Sequence, residues 1–80
     1  MTYAEAVAKR TKDLLFKNKI SQYRLIQDTL LTKTAVHKMF KGKSKDVNFS
    51  TIRIIADFFN MPIHEFLNDE VFDSENLDFN

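Results

Sequence analysis

Apolar residues recur along this chain at helical spacing, in short bouts separated by polar residues suited to cap helix ends, and no bout alternates as a strand would. Five helices are predicted. The first, over residues 3–19, has Ala4, Val7, Thr11, Leu14 and Leu15 along one side and turns Lys9, Arg10, Lys12 and Lys17 to water. Ser21 caps a second, over 21–29, whose inward side is Leu25, Ile26 and Thr29, with Ile20 lying against it. In the third, over 32–42, Val36, Met39 and Phe40 fall at i, i+3, i+4 spacing, while Lys33, Thr34, His37, Lys38 and Lys41 gather on the opposite face. Thr32 suits its N-cap, and Gly42 suits the left-handed residue just past its end.

A polar, basic loop over 43–48 then leads to Asn48, a good cap for a fourth helix over 49–59 that buries Phe49, Ile52, Ile55, Ala56 and Phe59. Asn60 tolerates the left-handed conformation that ends a helix, and Pro62 opens a fifth that runs to about Leu67. That last helix buries Ile63, Phe66 and Leu67 and holds Glu65 in its first turn, where a negative charge is favoured. Beyond Asn68 the pattern weakens. Val71, Phe72, Leu77 and Phe79 form no clear face, so the segment either frays or docks on the body or on a second copy. The expectation is an all-α fold with one compact domain over residues 1–68 and an acidic C-terminal tail over 69–80.

Composition narrows the chemistry. Eighty residues with eight phenylalanines supply a single core without help from metal or disulfide, and no cysteine is present. The two histidines, His37 and His64, sit in different predicted helices, which makes a structural zinc site a poor reading. Neither a leader pattern at the start nor an apolar stretch of membrane-spanning length is evident, so the reading is a cytoplasmic protein. No cofactor is implied. Paired carboxylates, a glycine-rich phosphate loop and a nucleophile with an obvious base are all missing, so an enzyme is the weakest option.

A net charge of +1 conceals a division. All twelve lysines and arginines lie between Lys9 and Arg53, whereas residues 65–80 carry six acids and no cation. A basic body with an acidic appendage points to nucleic acid, although acidic tails also serve solubility alone. Lysines along one helix face are equally what a solvated surface helix carries. The segment before them raises the functional reading, because two short helices joined by little more than Leu30 and Leu31 follow the helix-turn-helix plan.

From about Leu14 to Leu67 the chain resembles the phage-repressor and Cro-like (XRE-type) helix-turn-helix family, a lambda-repressor-like five-helix fold found among bacterial and phage regulators. The resemblance is carried by Ile20-Ser21-Gln22 and Leu25, by Thr32-Lys33-Thr34-Ala35-Val36 and Gly42, and by Ile52-Ile55-Ala56-Phe59 followed by Ile63-Glu65-Phe66-Leu67. Two departures stand out. Where many members have a turn glycine this chain has Leu30, which must take a costly left-handed conformation or sit in a modified turn. Where many members pair an arginine with a glutamate, it has Leu15 and Phe40, consistent with one packing site filled by apolar residues that touch.

The resemblance implies that the third helix lies in the major groove of double-stranded DNA, with the second crossing the backbone. Lys33, Thr34 and Lys38 then match the positions that read bases, with His37 able to reach a base or a phosphate. Gln22 is placed to donate to a phosphate and Thr32 lies at the same surface, while Lys41, Lys43 and Lys45 anchor phosphates without conveying sequence. It also implies a symmetric dimer on two half-sites. Ile54 and Phe58, off the main buried stripe, could supply the contact together with the tail's apolar residues. The main rival is a protein-interaction module, such as an antitoxin-like or anti-regulator protein, since this fold also serves protein contacts.

Overall fold

The computed structural model describes residues 1–42 and 47–77. It contains α1 (Tyr3–Lys17), α2 (Gln22–Asp28), α3 (Lys33–Phe40), α4 (Phe49–Phe58) and α5 (Ile63–Phe66), followed by two short 3-10 turns, Glu70–Phe72 and Ser74–Asn76. The described residues are all-α, with no strand.

The helices α1 to α4 each begin where a side chain accepts an otherwise unsatisfied backbone N–H, whereas α5 opens on Pro62 without such a cap. Thr2 Oγ1 accepts from Glu5 N at 3.1 Å while Glu5 Oε1 accepts from Thr2 N at 3.0 Å, a reciprocal capping box at the start of α1. Those bonds, the backbone one foremost, hold the Glu5 carboxyl below its ordinary range. The cap's contribution is therefore complete above the ordinary glutamate value and is lost as the pH falls through the lower, folded one. Ser21, Thr32 and Asn48 cap α2, α3 and α4 in the expected way. Asn60 and Gly42 are left-handed as expected, at φ 57° and 70°.

The predicted end of α1 at about Lys19 is corrected. The helix stops two residues earlier, at Lys17, because Asn18 Nδ2 turns back to Leu14 O at 2.8 Å and Lys19 itself becomes left-handed, at φ 56°. Ile20 N then donates to Leu15 O at 2.9 Å, closing the end with a non-glycine residue. Phe49 is also corrected. It is 66% exposed, because at the first residue of α4 its side chain leans toward the helix start and past the edge of the core.

Two adjoining clusters make the core. Val7, Ala8, Leu14, Met39, Ile52, Ile55, Ala56 and Phe66 form one, and Leu15, Leu25 and Val36 form the other. Phe40 packs against both, which puts it on the cluster that holds Leu15. The one buried polar side chain among the described residues, Thr11, is satisfied by donating to Val7 O at 2.7 Å.

Arg10 corrects the expectation that the cations of α1 all face water. Its Nε donates to Phe66 O at 2.8 Å and its Nη2 to Glu65 O at 3.2 Å, meeting carbonyls at the end of α5. Its Nη1 pairs with Asp69 Oδ2 at 3.3 Å, and the guanidinium lies 5.8 Å from the Phe66 ring centroid. Asp69 Oδ1 accepts from Val71 N, Val71 is buried, and Phe72 stands against Tyr3 and Phe66 at ring-centroid distances of 6.3 and 6.1 Å. Residues 69–77 thus fold back on α1 and α5.

Candidate nucleic-acid interface

The turn between α2 and α3 is built around Thr29. Its hydroxyl donates to Leu25 O at 2.6 Å and accepts from Leu31 N at 3.2 Å, while its backbone is extended at φ −125°, ψ 174°. This resolves how Leu30 replaces a glycine. Thr29 turns the chain in an extended conformation, Leu30 stays out of the left-handed region, and its side chain is left 90% exposed.

Burial of Val36 and Met39 then fixes the roll of α3 about its axis. With those two residues held in the core, Lys33, Thr34 and Lys38 are exposed on the sides turned away from it, Ala35 is exposed at the flank one turn before Met39, and Lys41 is exposed at the C-cap. Among the described residues none of these lysines forms an ion pair, so their charge is available to an outside anion. Thr32 is exposed but engaged, its Oγ1 accepting from Ala35 N at 3.1 Å, which leaves the hydroxyl proton for a further acceptor. His37 and Gln22 are half-buried and face one another's helices across a cleft that Tyr23, Ile26 and Lys33 complete. Lys43 and Lys45 lie outside the described residues.

Helical periodicity assigned Lys12 to solvent, and the structure gives it a task. Its Nζ donates to Phe40 O at 3.1 Å and sits 5.3 Å from the centroid of the Phe40 ring, a cation placed at the negative end of α3. Lys12 therefore ties the end of α3 to α1. Only the long-range geometry reveals this, because the two residues are 28 positions apart. Tyr23, 70% exposed beside Gln22, is the second residue at this surface that pattern alone did not single out.

A short capped helix, a turn tied by the threonine hydroxyl and a second helix whose free face is cationic together define a helix-turn-helix DNA-binding domain. A family model described as Cro/C1-type HTH DNA-binding domain matches residues 12–71, three quarters of the chain, and the chain belongs to that family. No curated protein and no solved structure matches it. No helix among the described residues is long and apolar enough to cross a membrane.

Proposed function

We propose that this protein is a sequence-specific transcriptional regulator of double-stranded DNA that inserts α3 into the major groove and acts as a repressor. The observation that carries the reading is the outward face of α3, where Lys33, Thr34, Lys38 and Lys41 are exposed and the lysines have no ion-pair partner among the described residues, in a chain of the Cro/C1-type family. Lys33 and Lys38 donate to guanine O6 and N7, and Thr34 offers a hydroxyl and a methyl to base edges. His37 reaches a base or a phosphate from the side of the helix nearest α2. Gln22, Thr32, Lys41, Lys43 and Lys45 hold phosphates and set register. Repression is the simplest output, since occupying a promoter duplex excludes other proteins without a further surface.

Two copies bind half-sites about 34 Å apart in this reading. Ile54 and Phe58, half-buried on α4, provide the contact, with the Phe58 ring held edge-on to Phe59 at 5.0 Å. A protein-interaction role is the second reading, favoured by Phe16 and Leu30, which are 87% and 90% exposed.

Selection from a random duplex pool tests the proposal, with Lys33→Ala/Lys38→Ala as the comparison. Enrichment of a paired motif by the wild type, lost in the double variant, is the expected result. An unpaired motif would reject the dimer, and no enrichment even at low salt would move the assignment to a protein partner.

A further inference from the structure

A groove of about 300 Å³ lies between α3 and the first turn of α4, on the side of α3 away from the cleft that holds His37. Its floor is carbon: Val36 and Met39 are buried there, and Leu31 and Val47 are half-buried. Thr32, Thr34 and Lys38 stand at its edge, and Lys38 is the single charged residue among the described residues that line it. We propose that this groove binds a small monocarboxylate with an apolar body, and that the occupied groove releases DNA. The release of DNA rests on the DNA-binding reading above, whereas the site itself does not.

Size, charge and the donors present each narrow the ligand. At the roughly 30 Å³ that one water takes in the liquid, the groove has room for about ten non-hydrogen atoms. The Lys38 ammonium has no ion-pair partner among the described residues, and none of the described residues lining the groove is acidic, so it is matched by one negative charge. A dianion would leave charge uncompensated against the carbon floor. The side chains at the edge have protons to give. Thr32 Oγ1 already accepts from Ala35 N, which leaves its hydroxyl proton, and Thr34 lies four residues before Lys38 on the same face with no hydrogen bond to its hydroxyl among the described residues. An ionised carboxylate only accepts, which suits two hydroxyl protons and an ammonium. Its apolar body then covers Leu31, Val47 and the exposed Ala35 methyl, carbon that is favourably taken out of water. Thr34 and Lys38 are also proposed readers of bases. A carboxylate held by them occupies both and sets a negative charge in the path of an approaching polyanion.

Octanoate matches this size and charge, and the test titrates it into the isotope-labelled full chain without DNA while the backbone amides are followed by NMR. Saturable shifts at Ala35, Lys38 and Thr51 are expected, with a dissociation constant on the order of 1 mM for so small a ligand. Acetate carries the charge without the body and octanol the body without the charge, and each should bind at least about tenfold more weakly. Lys38→Gln should remove the preference for octanoate over octanol. Ala35→Leu, at an exposed position where the larger side chain fills the groove, should abolish binding of both. Added to the wild type with its selected duplex, octanoate at ten times its dissociation constant should weaken DNA binding about tenfold, and acetate at the same concentration and ionic strength should not. Shifts that do not saturate, that acetate reproduces, or that centre on the cleft beside α2 would overturn the proposal. Unchanged octanoate binding in Ala35→Leu, or an unchanged preference in Lys38→Gln, would do the same. If octanoate fills the groove and DNA binding is unaffected, the release of DNA is overturned and the site stands; if no duplex is selected, the DNA reading falls and takes that release with it, while the titration still decides the site.

Discussion

The corner where α1 meets α5 and the face that α3 turns outward both draw on cations from amphipathic helices, and they use them in opposite ways. Arg10 is spent internally: its side chain is only 15% exposed and it meets two carbonyls, a carboxylate and an aromatic ring. Lys33 and Lys38 have no such company among the described residues. A cation whose hydrogen-bonding capacity is already filled contributes to stability, whereas one left to water is available to an outside anion. Position on a helix does not separate the two cases; the chain that folds over the helix does. Residues 65–69 supply the partners of Arg10, while among the described residues no hydrogen bond or ion pair engages the side chains of Lys33 and Lys38.

Substitutions should divide along this line. Phe66→Ala, at a fully buried ring beneath Arg10 and Phe72, should cost about 3–5 kcal/mol in chemical denaturation, the largest effect on the internal side. Arg10→Ala should cost about 1.5–3 kcal/mol of stability, as loss of charged hydrogen bonds does, and leave the DNA affinity of the folded protein unchanged. A fall in affinity larger than unfolding explains would erase the proposed contrast between the two regions.

Lys38→Ala should do the reverse, lowering specific affinity by roughly 1–3 kcal/mol and relaxing one base position, with a melting temperature close to that of the wild type. An unchanged base preference in a repeated selection would contradict its reading role. The smallest effect is expected from Lys43→Ala, which should weaken all sequences alike and reduce the slope of log affinity against log salt by about one phosphate contact. A changed base preference there would place Lys43 among the readers instead.

Much of this architecture was legible because it is local. Ser21, Thr32 and Asn48 cap as their chemistry dictates, and Asn60 and Gly42 end helices in the left-handed conformation that their backbones tolerate. The opposed faces of α3 followed from spacing alone. What escaped the sequence depended on residues far apart: Arg10 and Lys12 both fall on a face that periodicity assigns to water, and their acceptors lie 28 to 59 positions away. The left-handed Lys19 had no glycine to announce it, and the Leu30 turn was settled by the hydroxyl of the threonine before it. His37 illustrates a finer limit. Spacing places it with the lysines, but the structure leaves it half-buried in the lining of the cleft beside α2.

The Arg10 clamp also bears on how the molecule comes apart. It joins α1 to backbone 55 and 56 residues later, so the chain must close a long loop before any of these bonds form. Contacts of that kind are expected late on the folding route, after the nearby helices have found one another. Their loss should then accelerate unfolding far more than it slows folding, which makes one arginine a kinetic latch on the native state.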